Sequence, residues 1–240
     1  MNQRLLHIIT PVKDSLETTL QTIESIMNSD FQSNFQYTVY NDFSSDETTE
    51  KLEIVSAEKG FRLVNLKDIT THPSPNYLLV LQMAQQSALS DGAHLLIVES
   101  DVVVKQNTIQ VLFDAAAELE NPGLIAAVTH DRDGNVNFPY LYAKKFVGET
   151  VKTSKRLSFC CTLITHSLLE TFDFKNLHPE KSWYDVFISH KSVELGFSNY
   201  LMTQLPVLHL PHSSRPWKQL KYTHPLKYYW LKYTKRRDKI

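Results

Sequence analysis

The feature that most constrains the fold of this chain is an apolar run that ends in two acidic residues. Leu95 to Val98 are four consecutive aliphatic residues, and Glu99, Ser100 and Asp101 follow them. Such a run is typical of a strand that is buried on both faces in the middle of a parallel sheet. In open α/β sheets, ligands bind outside the carboxyl ends of the strands, where carboxylates can hold a divalent cation and phosphates. The alternative is that both acids are solvated and cap the next helix.

Apolar periodicity predicts alternating strands and helices around this run. The predicted strands cover residues 5–10, which Pro11 ends, then 35–40, 61–66 and 95–99; the predicted helices cover 16–26, 76–90 and 107–119, and one more begins near Glu47 with Ser45 or Asp46 as its N-cap. This order predicts a mostly parallel sheet with helices on both faces. Later, 123–129, 157–164 and 200–209 are predicted strands and 182–195 a predicted helix, which indicates an α+β second half.

The composition is that of a soluble globular protein. The 240 residues are enough for one α/β domain, and the net charge of −1 argues against a general nucleic-acid binder. Cys160 and Cys161 are adjacent in an apolar run, where we expect neither a disulfide framework nor a metal knuckle, so a reducing compartment fits best. The first residues lack the apolar core of a signal peptide, and no window is long and apolar enough for a membrane span. We therefore expect a cytoplasmic protein.

The C-terminal residues 216–240 are rich in basic and aromatic side chains. After Arg215 a single acid, Asp238, is set against six lysines and two arginines, and tryptophans and tyrosines lie between them. Such a mixture suits an anionic membrane surface, which here means the inner face of the cell membrane. A C-terminal helix that packs on the domain with a solvated basic face explains the same pattern.

Acidic residues also follow the second predicted strand, whereas several common nucleotide motifs are absent. The chain has neither GxGxxG after its first strand nor GxxxxGK[ST], which argues against a dehydrogenase and a P-loop NTPase. Asp42 ends strand two, so it is expected at the same sheet edge as Glu99 and Asp101. Its carboxylate can accept the imide N–H of uracil or thymine, although an Asx-turn or a helix cap is the simpler alternative.

A series of motifs in order resembles the inverting, GT-A-fold nucleotide-sugar glycosyltransferases of family two, especially the rhamnosyltransferase-like and capsule or O-antigen types. The resemblance covers most of residues 5–215. The matching segments are residues 8–13 (IITPVK, similar to IIIPVYN), 40–48 (YNDFSSDET, similar to VDDGSSDGT), 97–104 (IVESDVVV, similar to LLNPDVVV or FLDSDD), 183–188 (WYDVFI, similar to EDVDLSLR), 195–197 (LGF, similar to AGY) and 207–214 (VLHLPHSS, similar to V.H....S).

The resemblance implies a role for each matched residue. Asp42 reads the base, Asp101 and His209 hold Mg2+ or Mn2+ with help from Glu99, and Asp185 is the general base. The remaining nucleotide-sugar-binding residues are Thr10, Pro11, Ser44, Asn76 and Ser100, beside Asp42 and Glu99. A helix-terminal acid at Asp185 and a structural histidine at His209 remain open as alternatives. A zinc site on His209 and His212 is not expected, because further ligands at useful spacing are lacking.

The implied protein is a single GT-A domain over residues 1–215, with a nucleotide-sugar half (1–104), an acceptor half (105–215) and the basic tail 216–240. It transfers one sugar from a UDP- or dTDP-sugar to a saccharide or lipid-linked acceptor. The QxxRW signature of processive synthases is absent. Three positions depart from the family pattern. Glu99 replaces the usual first acid or asparagine, and Tyr184 replaces the acid before the base. An arginine expected between Asn76 and Glu99 is missing, with Gln82 or Gln85 nearby.

Two rival functions remain. A catalytically divergent nucleotide-sugar-binding or assembly protein fits the departures at Glu99 and Tyr184. A sugar nucleotidyltransferase uses similar acids and a metal, but it usually needs a glycine-rich, basic loop after strand one, which residues 10–14 (TPVKD) lack.

Overall fold

A computed structural model describes residues 5–179, 183–210 and 224–234. The chain divides into two compact units, of which the first ends at Leu210 and the second begins at Pro211. In the first unit the strands are β1 (Leu6–Val12), β2 (Phe35–Asn41), β3 (Arg62–Asn65), β4 (His94–Val98), β5 (Val102–Val103), β6 (Pro122–His130), β7 (Thr150–Thr153), β8 (Cys161–Ile164) and β9 (Ser198–His209). The helices are α1 (Leu16–Met27), α2 (Asp46–Lys59), α3 (Tyr77–Ser90), α4 (Thr108–Glu118), α5 (His166–Thr171) and α6 (Tyr184–Glu194).

All nine strands form one sheet in the order β3-β2-β1-β4-β8-β6-β9-β5, and β7 also pairs with β9. The strands β3, β2, β1 and β4 are parallel, as the strand–helix alternation predicted. Strand β8 is antiparallel to both β4 and β6, β6 and β9 are parallel, and β5 and β7 run antiparallel to β9. The sheet therefore changes from parallel to mixed where the sequence alternation weakens.

Strand β4 is buried on both faces, which confirms the interpretation of the apolar run. Leu96 and Val98 belong to one core cluster, with α1 and α4, whereas Leu95 and Ile97 belong to the second, with α3 and α5. All four side chains are fully buried. Because alternate side chains are packed on opposite sides, a shift of register would move each into the wrong layer. The acids that follow β4 are thus held at a fixed place on the sheet edge.

Two element boundaries differ from the predictions. Strand β1 continues through Pro11 to Val12, where we expected Pro11 to end it. The β1–β4 ladder stops at the Ile9–Ile97 pair, so Pro11 lies beyond the part of β1 that is paired on both sides. A proline without an N–H is tolerated there. Strand β8 has only four residues, fewer than the predicted 157–164, and Ser45 caps α2 as predicted.

The second unit contains α7 (Pro225–Thr234), a helix with an exposed Leu226 and Trp230. It agrees with the expected C-terminal helix, although residues 216–223 and 235–240 of the predicted tail lie outside the described residues. Among the described residues, no helix combines the length and apolar character needed to cross a membrane.

Candidate active site at the carboxyl edge of the sheet

The loops after β1 and β2 are fastened to each other at the sheet edge. Ser44 Oγ accepts a hydrogen bond from the backbone N–H of Asp14 at 2.9 Å, and Asp14 Oδ1 accepts one from the Ser45 N–H at 2.8 Å. Lys13 Nζ donates to the carbonyl oxygen of Phe43. Phe43 has a φ of 56°, in the left-handed region, at the position where the similar motif VDDGSSDGT has glycine. Ser44 is thereby fixed in a rigid double loop.

Asp42 lies in this edge with its carboxylate held from the side of α3. The Ser74 hydroxyl and the Asn76 backbone N–H both donate to Asp42 Oδ2, at 2.7 and 2.8 Å, and Asn76 Nδ2 donates to Asp42 Oδ1 at 2.7 Å. The side chain that accepts from the Ser44 N–H is that of Asn41, at 3.3 Å. Asp42 therefore neither caps α2 nor forms the expected Asx-turn, and Oδ1 retains capacity for a second donor such as a pyrimidine imide.

A second group of polar side chains meets where β4 ends. The pairing of Val102 with His209 brings β5 to the end of β9, and the Leu210 N–H donates to the Asp101 carbonyl at 2.8 Å. As a result His209 Nε2 lies 3.5 Å from Asp101 Oδ2. Asp101 Oδ1 is buried and has no hydrogen-bond partner among the described residues. The structure thus brings together the two residues that the resemblance implied for the metal.

The ring of His209 is oriented by a backbone contact. Its Nδ1 lies 2.9 Å from the carbonyl oxygen of Phe138, which can only accept, so Nδ1 carries the proton and Nε2 is left for the site. Burial lowers the pKa of His209, but the hydrogen bond and charge of Asp101, together with the charge of Glu99, outweigh burial and raise the pKa above its usual value. The His209 ring therefore lies in surroundings made negative by Asp101 and Glu99.

Glu99 lies beside a thiol that the sequence did not indicate. Cys160 Sγ donates to Glu99 Oε2 at 3.3 Å, and the Glu99 N–H donates to the Cys160 carbonyl at 3.0 Å. Burial, followed by repulsion from Asp101, raises the pKa of Glu99 to about 7. Burial and the two carboxylates also raise the pKa of the Cys160 thiol well above its usual value. Glu99 and Asp101 are therefore crowded carboxylates whose charges repel each other, and His209 offsets this repulsion only in part.

These donors fit a divalent cation. One ligand atom each of Glu99, Cys160 and His209 lies within 4.8 Å of the others, and the unpartnered Asp101 Oδ1 lies in the same part of the edge. A cation would supply positive charge that balances the carboxylates of Glu99 and Asp101. Oxygen ligands suit Mg2+ and Mn2+, whereas imidazole and thiolate suit softer ions. The sequence analysis did not connect Cys160 with this site, because Cys160 is 61 positions from Glu99 and the β4–β8 pairing brings them together.

Asp185 is in the first turn of α6, as the motif alignment predicted. Its side chain is 18% exposed, and Arg156 Nη1 lies 3.7 Å from its Oδ2. The same guanidinium lies 5.5 Å from the ring centre of Phe138 and 5.9 Å from that of Trp183. A carboxylate with a cationic partner thus borders a pair of aromatic rings, and the sequence analysis had not singled out Arg156.

Tyr77 lies in the electrostatic field of both Asp185 and Glu99. Burial, then the charges of Glu99 and Asp185, raises the pKa of this hydroxyl well above its ordinary value. Asp185 also contributes to the raised pKa of Glu99. The ring of Tyr77 stacks on that of Tyr184 at 6.2 Å between centres. Asp185 and the acids after β4 therefore act on the same buried region.

The other predicted donor residues differ in their environment. The Thr10 side chain is fully buried, and its hydroxyl accepts a hydrogen bond from Tyr37 at 3.0 Å, so only its backbone is left for a ligand. Pro11 is partly exposed at the end of β1, and Ser100 is buried between the two acids after β4. His212 lies outside the described residues. The assigned roles of these residues stay predictions.

Three solved structures share this fold. S. aureus TarS in complex with UDP-GlcNAc matches with a TM-score of 0.64, 16% identity, 88% of this chain and 59% of that chain. GalNAc-T7 with UDP, GalNAc and Mn2+ matches with a TM-score of 0.65 and 13% identity, over 89% of this chain and 45% of that chain. The mannosyltransferase PcManGT from Pyrobaculum calidifontis, with GDP-Man and Mn2+, matches with a TM-score of 0.62 and 15% identity, over 98% of this chain and 65% of that chain. The protein thus spans less than two thirds of each of these chains, and the GT-A fold is confirmed.

The family model described as "Glycosyl transferase family 2" matches residues 7–171, which is more than half of the protein. The matched range contains β1 to β4, the double loop with Asp42 and the acids after β4. It ends before α6 and β9, which carry Asp185 and His209. The rhamnosyltransferase-like or capsule subtype stays a prediction, but the protein belongs to glycosyltransferase family 2.

Proposed function

We propose that the protein is a metal-dependent, inverting glycosyltransferase that transfers one sugar from a UDP- or dTDP-sugar to a saccharide or lipid-linked acceptor. The observation that carries the proposal is the arrangement of acids at one sheet edge. Asp101 lies beside His209 in a group suited to a cation, and Asp185 stands apart from it in the first turn of α6. Among the three similar solved structures, two contain a sugar nucleotide and two contain Mn2+, which supports a donor and cation site at this edge.

In the donor half, Asp42 would accept the imide N–H of the base through Oδ1, while Ser74 and Asn76 keep its carboxylate in place. Asp101 and His209, with Glu99, would hold Mg2+ or Mn2+. The cation supplies the positive charge that stabilises the diphosphate as it leaves.

In the acceptor half, Asp185 would take the proton of the acceptor hydroxyl. The hydroxyl oxygen forms a bond to the anomeric carbon, and the bond from that carbon to the diphosphate breaks on the opposite face, which inverts the configuration. A base in this role must reach the hydroxyl directly. The partial exposure of Asp185 leaves room for such contact, and Arg156 gives the carboxylate a cationic partner.

The substitution Asp185→Asn tests this role. We expect transfer from a panel of nucleotide sugars to be abolished while nucleotide binding, measured by thermal shift, is unchanged. Glu194→Gln is the matched control, because Glu194 is an exposed acid at the other end of α6. Turnover retained by Asp185→Asn would remove this residue from the role of base.

The substitution Asp42→Asn tests base reading. A hydrogen bond to a charged group contributes roughly 1.5–3 kcal/mol, so we expect the Kd for UDP to rise about tenfold or more. Asp46→Asn, an exposed acid of the same loop region, is the control. Equal UDP affinity of both variants in calorimetry would contradict the assignment of Asp42.

A nucleotide-sugar-binding protein without turnover is the second candidate. It is favoured by Tyr184, which is buried and stacked on Tyr77 at the position where the similar motif has an acid. Donor binding without transfer or donor hydrolysis, in the presence of Mn2+, would support this candidate over the transferase. Contact of residues 216–240 with an anionic membrane, and a cytoplasmic location at its inner face, belong to the proposal as well; loss of liposome binding on deletion of these residues would support them.

A further inference from the structure

We infer that the Cys160 thiol is a ligand of the cation, so that this site selects a thiophilic divalent ion such as Zn2+ over Mg2+. The inference deepens the proposed function, because it concerns the same cation site. It rests on the position of Cys160 beside Glu99 and His209.

The donor spacing is suitable for direct coordination. Metal–ligand bonds of about 2.0–2.3 Å at tetrahedral angles place neighbouring donors roughly 3.3–3.8 Å apart. Cys160 Sγ is 3.3 Å from Glu99 Oε2, and His209 Nε2 is 3.5 Å from Asp101 Oδ2. The atoms of Glu99, Cys160 and His209 all lie within 4.8 Å of one another. The site can therefore close around an ion with small side-chain movements.

Two further observations point to a ligand. Asp101 is 8% exposed, and its Oδ1 has no hydrogen-bond partner among the described residues. Cys160 is a weak hydrogen-bond donor, so it is a poor permanent partner for the half-buried carboxylate of Glu99. As a metal ligand, by contrast, the thiolate would be a strong donor. Both features have a reason if Glu99, Cys160 and His209 share a cation beside Asp101.

The donor types decide which cation is preferred. Mg2+ takes oxygen ligands in near-ideal octahedral geometry, whereas Zn2+, Co2+ and Cd2+ accept imidazole and thiolate readily. A sulfur and a nitrogen among the three grouped donors disfavour Mg2+. The inferred preference also differs from the Mn2+ that two of the neighbouring structures contain.

The adjacent cysteine provides a matched control. Cys161 is fully buried, as Cys160 nearly is, but burial is the one cause that raises the pKa of its thiol, to about 12, without any contribution from Glu99 or Asp101. The reduced, metal-free full chain is titrated with Cd2+, and the sulfur-to-cadmium charge-transfer absorption is recorded. We expect this absorption, at one equivalent, from the wild type and from Cys161→Ser, and its loss in Cys160→Ser. Absorption that persists in Cys160→Ser, with a native circular dichroism spectrum, would overturn the inference.

A measurement on the wild type guards against misfolding of the variants. X-ray absorption of the Zn2+-loaded protein is expected to show one sulfur at about 2.3 Å besides nitrogen and oxygen ligands. Bound Zn2+ with nitrogen and oxygen ligands alone would overturn the inference, whatever the variants do. A sulfur ligand without sugar transfer would leave the inference standing and defeat the proposed function, whereas transfer with Mn2+ and no sulfur ligand would do the reverse.

Discussion

A buried glutamine in α3 tests how this helix is fastened to α5 and the residues that follow α5. Gln85 is 4% exposed, and its Nε2 donates to the backbone carbonyls of Leu169 and Phe172 at 2.9 and 2.7 Å. Its Oε1 accepts from the Phe174 N–H at 2.7 Å. One side chain thus satisfies three backbone groups, one within α5 and two in the segment that follows it. Neighbouring Gln82 also donates to the Phe174 carbonyl, at 3.3 Å.

We expect Gln85→Met to destabilise the protein by about 3 kcal/mol. Methionine has a similar length and fills the space, so a cavity is not the main effect. Three hydrogen bonds with a net contribution of roughly 1 kcal/mol each are lost, and more is lost wherever a buried backbone group finds no water. The added apolar burial of methionine offsets part of this larger penalty.

Urea denaturation followed by circular dichroism measures the change in the free energy of unfolding. Gln86→Met is the matched control, because Gln86 is the next residue of the same helix and is exposed. We expect the control to lie within about 0.5 kcal/mol of the wild type. Equal stability of the two variants would refute the reasoning, because it would mean that the backbone groups near Phe172 find other partners at no cost.

Two further substitutions test the packing and the pH dependence of the first unit. Gly123→Ala would place a Cβ against the Ser192 hydroxyl and 2.8 Å from Phe197 Cβ, so a loss of about 1–3 kcal/mol is expected in the same urea assay, and an unchanged midpoint would contradict this packing. Burial lowers the pKa of His7, although the Asp91 carboxylate is 2.9 Å away, so the unfolded chain binds the proton of His7 more tightly than the folded protein does. The contribution of His7 to stability is therefore complete above its ordinary pKa of about 6.5 and is expected to decrease as the pH falls below this value. His7→Gln is expected to reduce this pH dependence; an equal dependence in both proteins would assign it to other groups.

Local sequence signals were sufficient for the elements that place the donor half. The apolar run before Glu99 predicted a doubly buried strand, and β4 is that strand. The N-cap at Ser45 and the end of α3 near Gly92 were predicted from local preferences. Each of these features depends on neighbours within a few positions, which a single sequence shows directly.

Contacts between distant segments escaped prediction. The predicted contact of Asn76 with the donor stays a prediction, but the sequence did not show that its side chain and backbone both donate to Asp42. Gln85 was considered as a substitute for the absent arginine, and its three hydrogen bonds go to backbone groups in and just after α5. The contact of Arg156 with Asp185 was also not predicted. Such pairs carry no spacing signal, because the sheet order determines which segments meet.

The change of direction in the sheet explains why the candidate cation site draws on both halves of the sequence. Antiparallel β8 lies directly beside β4, which sets Cys160 against Glu99. Antiparallel pairing of β5 with β9 sets His209 against Asp101. A purely parallel continuation would bring only the carboxyl ends of strands to this edge, whereas antiparallel β8 brings its amino end, where Cys160 is found. The departure from regular alternation therefore supplies the thiol, and residues 1–104 alone contain the two carboxylates without either of the softer donors.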